Sequence, residues 1–451
     1  MSIHVCIVGG GGGASNAANM VRRLDQEARI DIFTDRSEIG NQPCEIPFVL
    51  KGDLSSWNDT FVFKSKFYKE RDINVHFESE VTEILRSQRR LTAAGSVYDY
   101  DKLILDLGAV PIIPPLPGLD GSSEYVLATG LETARRLEEV IARDSEAAVV
   151  GVGQIGLEMA AALRARGYQS VHLLGRSDRV LRAYLDEEFA RRIEARITDS
   201  GIDLVLSTTI NEVASRNGRK VLSLPDRELV VGFVLFAAGS RPNVELARQA
   251  GLKLGETGAI AVNEYLQTSD PDIYAIGDCA QNWDTVLGER RLYQTATSAA
   301  RGGRIAATNA VLGNTLPYHG TAMPFIMEAF GLQVGTVGFT ESEAREKGID
   351  VASAVTTTAT RRRMFGGRTV NLKLIADLRT RTLVGAQVIA EELVAGKIDR
   401  LALAIAERVP IDRLALTDTC YYPTVGTAYE PVVMALDNLR LQLDGYEADR
   451  R

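Results

Sequence analysis

His4-Val5-Cys6-Ile7-Val8-Gly9-Gly10-Gly11-Gly12-Gly13-Ala14 opens the chain with an apolar strand that runs straight into glycine. A second stretch, Ala147-Ala148-Val149-Val150-Gly151-Val152-Gly153-Gln154-Ile155-Gly156, repeats the arrangement. In such a turn the first glycine permits a tight strand-to-helix bend and the second lets backbone approach a pyrophosphate. The third lets helix and strand pack closely, so that amides and the helix dipole face phosphate. The first copy reads Gly9-x-Gly11-x-x-Ala14, and the second carries Gly151, Gly153 and Gly156. Ala14, Ala17, Ala18 and Val21 then recur at helical spacing, and an apolar strand, Ile30 to Phe33, follows. One match alone is weak, since a five-glycine run also reads as a linker. Two complete strand–turn–helix–strand contexts predict an α/β chain with two dinucleotide sites.

The bulk composition fits. At 451 residues, with 45% hydrophobic and 24% charged residues, the chain reads as a globular protein of two to four domains. A net charge of −8 argues against general nucleic-acid binding. No apolar run is long enough to span a bilayer, and the chain enters a strand at once without a signal-peptide pattern, so a cytoplasmic location is expected. Cys6, Cys44, Cys279 and Cys420 show no C-x-x-C spacing, and neither a disulfide scaffold nor a metal site is expected. Residues 1–115 and 246–318 read as one discontinuous nucleotide-binding domain, the latter stretch as short strands and turns. Residues 116–245 read as an inserted second nucleotide domain, and 319–451 as a mixed sheet-and-helix domain.

Ribose recognition separates the two sites. The strand after the first turn ends Phe33-Thr34-Asp35, so Thr34 or Asp35 is expected to hold a ribose hydroxyl. The corresponding strand after the second turn, Val171 to Leu174, ends in Gly175-Arg176-Ser177-Asp178-Arg179. Glycine with Arg176 and Arg179 welcomes a 2′-phosphate where a carboxylate would repel one, which favours NADPH over NADH. The bland alternative is two solvated arginines. Glu158, on the helix after Gly156, is a contact for the nicotinamide end or for a flavin-side lysine, or else a surface glutamate.

With these motifs the chain resembles the flavoprotein disulfide reductases that bind two dinucleotides. Leu105-Asp106-Leu107-Gly108-Ala109-Val110-Pro111 and the Phe236-to-Asn243 stretch around Gly239 look like that family's strand-end turns. Thr268 to Asp278 looks like its late flavin motif, with Asp278 on the ribityl chain. The resemblance implies FAD at the first site, contacted near Ala109, a nicotinamide nucleotide at the second near Gly239, and a C-terminal interface domain that makes a homodimer. The segment Gln42-Pro43-Cys44-Glu45-Ile46-Pro47-Phe48 resembles the single-cysteine subgroup, which includes coenzyme A disulfide reductases, NADH oxidases and polysulfide or persulfide reductases.

One sulfur sets the chemistry. A helix N-terminus and a nearby flavin can lower a thiol's pKa, whereas Glu45 beside Cys44 would raise it. Lacking a second thiol in this motif, Cys44 must form a mixed disulfide, a persulfide or a sulfenic acid, later reduced by electrons from the nicotinamide. Cys6 and Cys279 read as packed hydrophobes. Where two-cysteine relatives have His-Pro-Thr from the other subunit, this chain has Cys420-Tyr421-Tyr422-Pro423-Thr424, so Tyr421, with Tyr422 second, is the candidate proton donor. Arg22, Arg23 and Arg71 resemble positions that grip coenzyme A phosphates, and Asn41 lies where the pantetheine would pass. Coenzyme A is therefore a candidate ligand. The leading expectation is an NAD(P)H-dependent FAD enzyme that reduces a small disulfide, persulfide or polysulfide. The alternatives are an oxidase or peroxidase cycling Cys44 through sulfenic acid, and an electron-transfer component serving a protein partner.

Overall fold

In a computed structural model of the chain, residues 2–127 and 130–449 are described, the side chains of 447–449 excepted. The opening strand, His4–Val8, is central in a five-stranded sheet ordered Ile273–Ala275, Lys102–Leu105, His4–Val8, Arg29–Phe33, Asn74–His76. Every neighbouring pair runs parallel. Parallel strands need both faces covered, and Val5, Ile7, Ile30, Ile32, Leu103 and Ile104 are accordingly buried. The edge strand Ile273–Ala275 returns from far along the chain, so this unit is built from two separated stretches.

The second sheet is also parallel, ordered Asp203–Val205, Ser170–Leu174, Glu146–Val150, Phe233–Phe236, Glu124–Val126. The third is antiparallel, Phe325–Ala329, Leu332–Gly338, Thr382–Ala390, Thr369–Asp377, Val351–Ala359. Helices Ala395–Ala406 and Pro431–Asp449 share its apolar core through Ile398, Leu401, Val432 and Leu436. The fold is thus two Rossmann-type α/β units followed by an α+β unit.

Four helices position the site: α1 (Gly12–Leu24), α2 (Ile46–Lys51), α3 (Gln154–Ala165) and α4 (Ala296–Leu312). Helix α1 buries the expected stripe Ala14, Ala17, Ala18 and Val21. Helix α4 corrects the sequence reading, which expected only short strands and turns over 246–318. Its stretch around Arg301-Gly302-Gly303-Arg304 has almost no large apolar side chains, so no periodic signal marks it. Small residues instead let it lie against α1: a Cβ at Gly303 would sit 2.3 Å from the Gly13 carbonyl oxygen. Thr295 caps it by accepting from the Ser298 amide.

Candidate active site

Both glycine turns form cradles of the same design. Gly9 (φ +120) and Gly151 (φ +128) adopt backbone that L side chains rarely reach. A Cβ on either would strike a carbonyl of the neighbouring strand-end turn, Asp106 at 2.0 Å or Ala237 at 2.1 Å. At Gly156 a Cβ would meet the Gly151 carbonyl at 1.9 Å, so only glycine permits that helix start. In front of Gly12 and Gly153 there is open space, with nothing within 4 Å of a built Cβ. A pyrophosphate fits such a cradle, where amides at a helix start face an unfilled volume. The strand-end turns meet each other in an antiparallel pair: Ala109 pairs with Pro242 and Ser240 with Pro111, which sets Gly108 opposite Asn243 and Gly239 opposite Ile112.

The other predicted nucleotide contacts divide. Asp278 stands partly buried in the turn Gly277–Cys279, and its carboxylate makes no hydrogen bond or ion pair among the described residues. Burial pushes it up to about 6. An unpartnered carboxylate at the sheet's C-terminal end suits a polyol chain. Thr34 is buried under Gly10, its hydroxyl accepting from the Arg36 amide, whereas Asp35 is exposed beside Arg36. At the second site Arg176 is exposed, and Arg179 contacts Asp178 and the Leu185 carbonyl. Gly175 leaves no room for a side chain, since a Cβ would lie 2.7 Å from the Val152 methyls.

Cys44 occupies the turn Pro43–Glu45 that leads into α2. Helix α2 buries Ile46 and Leu50 in the cluster that holds Leu157 and Ala160 of α3, which fixes the sulfur against the second nucleotide unit. The residue is exposed, yet its thiol is partly desolvated: the pKa is raised first by that desolvation and then by the charges of Glu158, Asp278 and Glu45. A six-residue helix offers little dipole against three carboxylates. Glu158, which accepts from Gln154 at 2.9 Å, is itself pushed by burial up to about 7. Glu45 is also raised by burial, and its Oε2 is buried without a hydrogen-bond partner. A cavity of about 320 Å³ lies alongside, lined by Phe48, Lys51, Glu158, Glu328 and Phe330.

Tyr421 and Tyr422 are not brought to this sulfur within the chain. They lie in the loop before the last helix, 49% and 66% exposed, near exposed Cys420 and Val425. Arg22 has a structural task instead of an open guanidinium: it donates to the carbonyls of Arg71, Asp72, Asp25 and Gln26. Arg23 is exposed, Arg71 stacks over Phe67 and donates to Asn19, and Asn41 is buried in a bridge to Phe61. Cys6 and Cys279 are fully buried. The atoms of His4, Cys6 and Asp31 cluster within 4.8 Å, but the Asp31 carboxylate is already shared by His4, His76 and Arg29. Sequence reasoning missed Asp106, whose carboxylate accepts from the Ala14 amide at 2.7 Å inside the first cradle. The strand-end turn Leu105-Asp106-Leu107-Gly108 was legible in the sequence, but its approach to the Ala14 amide was not.

Comparison with known proteins agrees with this geometry. The sequence pattern of the pyridine nucleotide-disulphide oxidoreductases matches residues 3–303, and that of their dimerisation domain matches residues 328–432. An NADH oxidase of Methanocaldococcus jannaschii is 32% identical over 445 residues, covering 97% of this chain and 98% of that protein. A CoA-dependent NAD(P)H sulfur oxidoreductase of Pyrococcus furiosus is 31% identical over 441 residues, covering 95% and 97%. A water-forming NADPH oxidase engineered from the Lactobacillus brevis enzyme, solved with NADPH, shares the fold at TM-score 0.94 and 22% identity, covering 98% and 100%. No described helix is long and apolar enough to cross a membrane. The chain belongs to the pyridine nucleotide-disulphide oxidoreductase family and carries that family's dimerisation domain.

Proposed function

We propose that this oxidoreductase uses NADPH to reduce a small disulfide, persulfide or polysulfide through Cys44, with FAD in the first cradle. The observation that carries the reading is the placement of Cys44: an exposed residue at the start of α2, within electrostatic reach of Asp278 of the first cradle and Glu158 of the second. FAD bound there supplies the two-electron relay between nicotinamide and sulfur. The Cys44 thiolate attacks one substrate sulfur, so that a Cys44–S bond forms as the substrate S–S bond breaks and the departing thiolate takes a proton. The two electrons of one NADPH then cleave the mixed disulfide, releasing the second thiol. Desolvation first, and then the charges of Glu158, Asp278 and Glu45, favour the protonated resting sulfur, and Glu158, pushed up to about 7, is placed to exchange its proton.

Several features support the finer assignments. Gly175-Arg176-Ser177 follows the second ribose strand, and Gly175 has no space for a carboxylate. The engineered NADPH oxidase acquired alanine, arginine and serine at three successive positions, a similar small–Arg–Ser order. Arg23 and Arg71 remain the basic residues for a coenzyme A phosphate, supported by the CoA-dependent relative. Two copies would join through the dimerisation domain, placing Tyr421 and Tyr422 of one over Cys44 of the other as hydrogen-bond donors to the leaving sulfur.

The test is anaerobic titration with NADPH. Uptake of two electrons beyond those held by FAD, lost in Cys44→Ser together with disulfide turnover, is the expected result; unchanged turnover in that variant would falsify the mechanism. The oxidase relative favours a second reading, in which Cys44 cycles through sulfenic acid with oxygen or peroxide as acceptor. Rapid NADPH-driven oxygen consumption without added disulfide distinguishes it.

A further inference from the structure

The two cradles differ in the charge of the strand-end turn that abuts them. In the second, the strand-end turn presents Ala237, whose carbonyl abuts Gly151 and whose Cβ lies 3.6 Å from a built Gly156 Cβ. In the first, the same place in the turn is Asp106, whose carbonyl abuts Gly9 in the same way. Its carboxylate reaches into the cradle. Oδ2 accepts from the Ala14 amide at 2.7 Å and lies 3.0 Å and 2.7 Å from built Cβ atoms at Gly11 and Gly13, while Oδ1 lies 2.6 Å from that at Gly277. The residue is only 8% exposed. A resident anion therefore occupies part of the helix start that a pyrophosphate needs. Two anions on one helix N-terminus, away from bulk water, repel strongly.

We propose that Asp106 is a proton-linked gate on the first cradle: the dinucleotide pyrophosphate settles on the start of α1 when the Asp106 carboxyl is protonated, and ionised Asp106 opposes it. This rests on the assignment of FAD to that cradle. Bound phosphate and ionised Asp106 compete for the same amide field, so FAD binding takes up a proton at neutral and alkaline pH, and affinity falls as pH rises. The groups around Asp106 favour this. Burial, together with the neighbouring Asp278 charge, outweighs the Ala14 amide and Arg36 and pushes Asp106 up to about 7. The turn carrying Asp278 also brings the Cys279 thiol, and α4 brings uncharged Ala299. Helix α1 has no charged side chain before Arg22.

Equilibrium FAD binding to the flavin-stripped full chain, followed by flavin fluorescence from pH 6 to 9, tests the gate. Kd is expected to rise toward tenfold per pH unit above about 7, as linkage to one proton requires. Asp106→Asn, isosteric and uncharged, should bind more tightly at pH 8.5 and lose most of that slope. Calorimetry of the unmodified protein in two buffers of different ionisation enthalpy should show uptake approaching one proton per FAD at pH 8, whether or not the variant folds. A flat Kd with no proton uptake overturns the gate and leaves the flavin assignment standing. A slope that persists in Asp106→Asn belongs to Asp278 and also overturns it. No FAD binding by either protein at any pH overturns both.

Discussion

At the scale of single residues, the site is governed by carboxylates that face one another and one sulfur. Cys44 holds its proton because desolvation of the thiol comes first and Glu158, Asp278 and Glu45 add to it. Removing one of these charges lowers the thiol pKa and raises the thiolate fraction at a fixed pH. Glu158→Gln should therefore speed alkylation of Cys44 by iodoacetamide at pH 8 several-fold, read by mass spectrometry of the modified peptide. An unchanged rate would show that Glu158 does not act on the sulfur. A second prediction concerns the other cradle. Arg176→Ala combined with Arg179→Ala should raise KM for NADPH about tenfold or more while barely moving KM for NADH, since charge-assisted bonds to a 2′-phosphate contribute about 1.5–3 kcal/mol. Equal losses with both nucleotides would refute the preference.

Elements position those residues through very close backbone contact. Helices α1 and α4 touch where Gly303 meets the Gly13 carbonyl, and the start of α1 is also the phosphate-binding end. A side chain at 303 must push α4 away or drag the cradle with it. Gly303→Val should destabilise the protein by about 1–3 kcal/mol or more and weaken flavin retention, through overpacking against backbone that cannot move aside. The check is thermal unfolding with the visible absorbance of bound flavin followed in the same sample. An unchanged midpoint and full flavin content would mean that the helices separate freely. Helix α2 acts similarly for Cys44, because Ile46 and Leu50 are locked in the second unit's core.

Across the whole molecule, a buried ion cluster fastens the third sheet to the second nucleotide unit. Lys373 pairs with Asp186 at 3.0 Å, with Glu341 at 2.9 Å and with Glu188, while Gln387 donates to Asp186. Burial would raise Glu341, but Ser353, Arg345 and Lys373 outweigh it and hold the carboxyl at about 2. A carboxyl lowered in the folded state adds stability that is complete above its ordinary value near 4.5 and is lost as pH falls toward 2. The apparent midpoint of thermal unfolding should thus drop from pH 5.5 to 3.5, and Glu341→Gln should flatten part of that drop; a parallel drop in the variant would remove the cluster from the explanation. At this scale the division between sequence and structure becomes clear. Sequence alone settled the two cradles and the single-cysteine motif, because a glycine turn between strand and helix is local geometry imposed by the absent Cβ. Helix α4 was illegible, since its small residues acquire meaning only against α1. Asp106 and the carboxylates around Cys44 come from distant points of the chain, so their mutual repulsion exists only once the sheets close. Local backbone sterics are written residue by residue, whereas burial and charge neighbourhood belong to the folded molecule, and it is these that set the protonation of the sulfur and of the cradle.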